Sequence, residues 1–349
     1  MARAASSSAE SWRQGRRQGR AFVASPWTRP LVLALVLALF CGVANASIGD
    51  RLPEFRHCLE VCKSENCGSE KPHTAIPLLR RLLAWTCSSE CDYACQHIIT
   101  ESRVESDLPI VQFHGKWPFY RFLGMQEPFS VLFSLGNLYA HLDGLGKIRE
   151  AIPSRYALRP WYEWLARISI AAWTFSAIFH TRDFAITEEL DYFAAGATVF
   201  YGMYYTPIRV FRLHKPTPRH RSVLRAWSLL CLCLYVAHVA YLKFVRWDYS
   251  YNMAANIAAG MVQNILWSGF SFNRYRRSKS KQLWVVWPGL AVAWVMFAMG
   301  MELFDFPPWL GSIDAHSLWH LMTIAPTVLW YNFLVKDAAV DMAEDRLKA

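Results

Sequence analysis

Charge is scarce in this chain. Of its 349 residues only 18% are Asp, Glu, Lys or Arg, while 54% are hydrophobic. A soluble domain needs a solvated, charged exterior, and no stretch beyond residue 126 is polar enough to supply one. Internal repeats and low-complexity tracts are also missing, which excludes a solenoid or a flexible linker architecture. The formal net charge of +10 would suit nucleic acid. Much of it, however, lies in an Arg-rich N-terminus (Arg3, Arg13, Arg16, Arg17, Arg20, Arg29) and in short loops between apolar runs. No basic face forms, so no nucleic-acid partner is expected. Beyond residue 95, cysteine occurs only at Cys231 and Cys233. There is one N-x-S/T sequon, Asn45-Ala46-Ser47, and no clear C-terminal retention tetrapeptide.

What the chain has in quantity is apolar and aromatic material, including 16 Trp, 15 Tyr and 21 Phe. Residues 31–44, LVLALVLALFCGVA, follow a basic region and precede the small-residue pattern Ala44-Asn45-Ala46. Residues 1–46 therefore read as a secretory signal peptide, with an uncleaved anchor as the alternative. Both place residue 50 onward on the lumenal side. Cys58, Cys62, Cys67, Cys87, Cys91 and Cys95 fall within 38 residues. An even, clustered set behind a signal peptide predicts disulfides in an oxidising compartment. Cys87, Cys91 and Cys95 share a helical face through their four-residue spacing. Residues 47–125 are thus expected to hold a small helical hairpin stapled by up to three bridges, its pairing open. A zinc knuckle is the competing reading.

Seven apolar segments follow, near 127–145, 161–180, 190–206, 226–244, 251–271, 283–303 and 315–335, each close to the ~20 residues that cross a bilayer. The loops at 146–160, 207–225 and 272–282 are rich in Lys and Arg and the alternate loops are poorer, so the basic loops are expected in the cytosol. The expected fold class is all-α: a polytopic seven-transmembrane helix bundle over 126–336, preceded by a small disulfide-rich lumenal domain. A cytosolic tail is expected at 337–349.

Five polar residues then fall at one lumenal depth: Ser176 and His180 at the end of the second span, Asp191 in the first turn of the third, and His316 and His320 at the start of the seventh. Ionisable groups in an apolar medium are costly and mark function. Two His four residues apart project from one helical face, so His180, His316 and His320 can supply three imidazoles to a catalytic Zn2+ with one position left for water. Asp191 suits a general base or a partner that tunes the ligands, and Ser176 a donor to a developing oxyanion. Each also has a simple structural role. Ser176 could bond its own backbone, Asp191 could cap its helix, and an isolated HxxxH is weak. Asp314 is expected to cap the seventh helix. The constellation suits hydrolysis of an ester or amide in a lipid.

Ser-x3-His, an Asp eleven residues later and a His-x3-His in the seventh span resemble the signature of the CREST superfamily of membrane hydrolases. GDRLPEFRHCLEVCKSENC, WTCSSECDYACQ, VQFHGKWPF, FHTRD, LDYF, RWDYSYNMAANIAAG, DFPP and DAHSLWH look most like the post-GPI-attachment phospholipase family, from about residue 48 to near the C-terminus. That resemblance implies a metal on His180, His316 and His320 with Ser176 and Asp191 as catalytic partners. It further implies removal of the sn-2 acyl chain from GPI-anchored proteins in the Golgi or endoplasmic reticulum membrane, and a separate acyltransferase that refills the lyso product. An alkaline-ceramidase-like amidase and a non-catalytic seven-helix receptor or cargo chaperone are the alternatives.

Overall fold

The structure, a computed structural model, describes residues 47–68, 76–278 and 282–347. The expected signal peptide, residues 1–46, lies outside them. Among the described residues the regular elements are all helical, with isolated bridges confined to loops.

The small domain comprises α1 (Ile48–Arg51), α2 (Pro53–Asn66), α3 (Leu78–Leu82) and α4 (Cys87–Glu105). Pro53 opens α2, where its missing N–H costs nothing. Thr86 and Ser89 form a reciprocal capping box that starts α4. The cysteines of α4 then face α2, giving bridges Cys58–Cys95, Cys62–Cys91 and Cys67–Cys87. All six thiols are consumed, which leaves none for a zinc knuckle. The hairpin closes over Phe55, Ile99, Val111 and Phe113.

The seven apolar segments all become helices: α5 (Pro128–Ala151), α6 (Arg159–Thr181), α7 (Ala185–Val210), α8 (Pro218–Ala240), α9 (Tyr249–Arg277), α10 (Trp287–Phe304) and α11 (Ala315–Arg346). Two ends differ from expectation. α7 begins at Ala185 because the Thr187 hydroxyl oxygen accepts the Phe184 N–H at 2.9 Å. Asp191 therefore lies in its second turn, not its first. α11 continues to Arg346 and buries Asp337, Ala338 and Asp341, so residues 337–346, expected in a tail, are part of the last helix.

Helices α5, α6, α7, α9, α10 and α11 contact one another in that order, and α11 returns to α5, closing a ring; α8 packs outside against α7. Three segments, 218–245, 283–304 and 315–346, are long and apolar enough to cross a membrane by composition. On α8, Leu229, Leu232 and Val236 point outward, a contiguous apolar surface of the kind a bilayer covers.

One end of the ring is filled by Tyr162, Tyr205, Trp267, Tyr331 and Phe333. A Cβ at Gly144 would stand 2.1 Å from the Tyr331 ring, so glycine is what lets α5 meet α11. At this end Arg209 donates twice to Asp337, at 2.6 and 2.8 Å, and Arg274 donates to the same carboxylate. The other end carries the polar constellation, about 25 Å away along α11 at 1.5 Å per residue.

Candidate metal centre

The segment after α4 stitches the small domain onto that other end. Gln112 Nε2 and Trp117 Nε1 each donate to Asp305 at 2.8 Å, and the Tyr120 N–H donates to the Gly311 carbonyl at 2.7 Å. The Gln126 and Glu127 N–H groups donate to the Thr181 and His180 carbonyls, both at 3.0 Å. These bonds bring Glu127 and Lys116 beside the last turn of α6.

His180, His316 and His320 converge there, with one ring nitrogen from each lying within 4.8 Å of the others. His180 and His320 are buried and His316 is half-buried. Asp314 caps α11 by accepting the Ser317 N–H at 2.8 Å, which fixes the register of the HxxxH turn.

The outward nitrogens are all engaged. His180 Nδ1 donates to Glu127 Oε2 at 2.7 Å and His316 Nδ1 to Glu302 Oε2 at 2.6 Å. His320 Nδ1 lies 3.3 Å from the Ser130 carbonyl and 3.0 Å from Ser134 Oγ. A carbonyl can only accept, so Nδ1 carries the proton and Nε2 keeps a free lone pair. With each Nδ1–H committed, a neutral ring presents its Nε2 lone pair inward. His180 Nε2 and His316 Nε2 face each other at 3.4 Å. Two facing lone pairs need a cation or a proton between them. A tetrahedral ion with bonds of about 2.0–2.1 Å sets its ligand nitrogens about 3.3–3.4 Å apart. Carboxylate partners behind ligating histidines are also the usual support of such sites. The donor set therefore fits a borderline-soft divalent cation such as Zn2+.

Supporting residues extend the network. Lys116 Nζ donates to Glu127 Oε1 at 2.6 Å and lies 3.1 Å from Asp183. Burial alone would depress the Lys116 ammonium, but Glu127 and Asp183 outweigh it and hold its pKa above the ordinary lysine value. On the other side Tyr249 donates to Glu302 at 2.8 Å. Trp173 stands edge-on to His320, with 5.1 Å between ring centroids.

Ser176 is buried and its hydroxyl shares a hydrogen bond with Ser134 at 3.2 Å, one step from His320. The Asp191 side chain makes no hydrogen bond or ion pair among the described residues, yet it is close enough to His180 and His316 to interact with them electrostatically. All five expected residues thus share one region. Glu127, Glu302, Ser134 and Lys116 complete it, and spacing alone gave no sign of them. Lys116 lies within VQFHGKWPF and Glu127 just beyond it, so that motif was the available signal. His141, at the other end of α5, bonds the Tyr331 hydroxyl at 2.7 Å and takes no part.

The sequence pattern of the Per1-like family matches residues 77–338. The chain is 39% identical over 318 residues to the protein PER1 homolog of Schizosaccharomyces pombe, covering 90% of this chain and 94% of that one. It is 38% identical over 310 residues to the GPI-specific phospholipase A2-like PGAP3 of Xenopus laevis, with 88% and 95% covered. To the protein of that name from Homo sapiens it is 35% identical over 324 residues, with 90% and 98% covered. No solved structure matches it.

Proposed function

The chain belongs to the Per1-like family, and from that premise we propose that it is a GPI-directed phospholipase of the A2 type. It removes the sn-2 acyl chain of GPI-anchored proteins during remodelling, and its lyso product passes to an acyltransferase. The seven helices span the membrane of the endoplasmic reticulum or Golgi, with the small domain and the histidines toward the lumen. The observation that carries the reading is the inward convergence of three imidazoles whose outward nitrogens are held by Glu127, Glu302 and Ser134.

His180, His316 and His320 would hold a divalent cation, Zn2+ by donor type. Such an ion supplies Lewis acidity, polarising an ester carbonyl and acidifying water. The protein's own groups do the rest. Glu127 and Glu302 fix the tautomer and orientation of His180 and His316, and the Ser130 carbonyl with Ser134 does so for His320. We assign Asp191 the general-base role, because it lies near two of the imidazoles and has no bonded partner of its own among the described residues. It takes the proton of the attacking water and returns it to the departing lysolipid alkoxide. Ser176, tied to Ser134, donates to the oxyanion of the ester carbonyl.

The test is mass spectrometry of GPI lipid species in cells lacking this protein, restored with wild type or His316→Ala. Wild type should restore remodelled anchors, and His316→Ala, expressed and exported normally, should not. Remodelling by the variant would sink the catalytic assignment and favour a receptor or chaperone. Accumulation of ceramide with unchanged anchors would favour an amidase.

A further inference from the structure

Against the wall formed by Lys116, Gln126 and Asp183, the structure holds a cavity of about 460 Å³ on the small-domain side of the histidines. Trp85, Tyr93, Trp117 and Phe184 give it aromatic faces, and Asp92, Arg121 and Arg182 give it charge. Both guanidinium groups lie against one indole: Arg121 is 3.2 Å and Arg182 3.7 Å from the Trp85 ring centroid. Like charges on a shared ring repel, so counter-charge is needed. Arg121 has Glu90 at 2.9 Å. Among the described residues Arg182 finds only a carbonyl, that of Asp183 at 3.3 Å, and no carboxylate at ion-pair distance.

Both Nε–H groups are buried without an acceptor, and the Arg121 side chain is only 8% exposed. An unpaired buried donor is costly, so this corner is stable only if the remaining guanidinium N–H groups of Arg182 are well served. Burial draws the Arg121 pKa down to about 10 even with Glu90 beside it, and burial lowers that of Arg182 too. A guanidinium without a carboxylate partner matches phosphate oxygens, while an aromatic wall beside a carboxylate matches the C–H faces and hydroxyls of a sugar. The cavity asks for both in one ligand.

We propose that this cavity binds the phosphoinositol-glycan headgroup of a GPI lipid, with its phosphate toward Arg182 and its sugars against the Trp117 side. The inference rests on the GPI reading above and deepens it: the disulfide-stapled domain is the part that selects the headgroup. Lys116 lines the cavity and bonds Glu127, which bonds His180. Two hydrogen bonds thus connect headgroup recognition to the histidine cluster, and a lipid anchored here extends its acyl esters toward it.

The test is calorimetric titration of purified full-length protein in detergent with three probes: glucosaminyl-inositol phosphate, inositol phosphate and inorganic phosphate. The glycan probe should bind tightest. Arg182→Gln should weaken it about ten- to hundred-fold, the loss of a charge-assisted contact, and Arg182→Lys should recover part of that. His320→Ala should bind the probe as wild type does. If wild type fails to bind it, if inorganic phosphate binds equally well, or if Arg182→Gln binds unchanged, the proposal is overturned. Should Arg182→Gln fail to fold, the ranking of probes on wild type and Arg182→Lys still decides. Anchor hydrolysis surviving in His320→Ala would overturn the assignment of the histidines, and its absence in wild type that binds the glycan probe would overturn the phospholipase reading and leave the headgroup site standing.

Discussion

Glu127 is the residue whose alteration tests the metal centre most directly. Its carboxylate is only 5% exposed and is shared, with one oxygen on His180 at 2.7 Å and the other on Lys116 at 2.6 Å. Glu127→Gln keeps the shape but removes the charge, so the His180 Nδ1–H loses an ionised acceptor and the ring loses basicity at Nε2. Partners of this kind contribute about 10- to 100-fold in metal affinity or activity, which corresponds to about 1.4–2.7 kcal/mol. Lys116 keeps Asp183 at 3.1 Å, so the variant does not strand a buried ammonium and should still fold. The assay is zinc content of purified protein equilibrated against chelator-buffered zinc, with anchor-lipid turnover measured on the same samples. Affinity should fall by one to two decades while the three disulfides stay formed. Wild-type zinc affinity and turnover in Glu127→Gln would refute the argument that this carboxylate sets the imidazole.

Three further outcomes are expected. Asp337→Ala should destabilise the protein by about 3–5 kcal/mol, because two guanidiniums lose their shared buried counter-ion; thermal unfolding in detergent measures it. Gly144→Ala should cost about 1–3 kcal/mol, since the new methyl overlaps the Tyr331 ring, and a Gly144→Ala/Tyr331→Leu double variant should recover much of that. In the small domain, the hydrogen bond to Asp92 at 2.9 Å raises the His114 pKa above its ordinary value. This contact is fully present below pH 6.5, the ordinary histidine value, and is lost as pH rises through the folded pKa. His114 is largely exposed, so the effect is a few tenths of a kcal/mol. It should appear as faster amide exchange of residues 113–116 above pH 7, beyond the intrinsic rate, and vanish in His114→Gln.

Much of the helical architecture was legible because apolar runs of spanning length have few alternatives. The cysteine hairpin was legible for a similar reason: a four-residue spacing on α4 can face only one neighbour. His180, His316 and His320 were legible because each is an ionisable group out of place in its surroundings. Their carboxylate partners were not. Glu127 sits before the first span and Glu302 near the end of the sixth, where an acidic residue reads as an ordinary helix end. Ser134 looked like one small residue among the others of α5. Only the packing of α5 against α6 and α11 turns it into the link between Ser176 and His320. The starts of α7 and the end of α11 were misread because hydropathy marks where a chain is apolar, whereas a cap at Phe184–Thr187 and buried charges at Asp337 and Asp341 decide where it stays helical.

His180 and His316 are 136 residues apart in the chain, and this has a consequence for biogenesis. A ribosome delivers the stapled hairpin and six of the seven long helices before it reaches either histidine of the last one. Until that C-terminal rod slots between α5 and α10 no trio of imidazoles exists, so the proposed site can neither capture a metal nor attack a lipid during synthesis. On the proposed reading the site is armed only when synthesis is all but finished, and a chain cut short before α11 should be inert rather than half active.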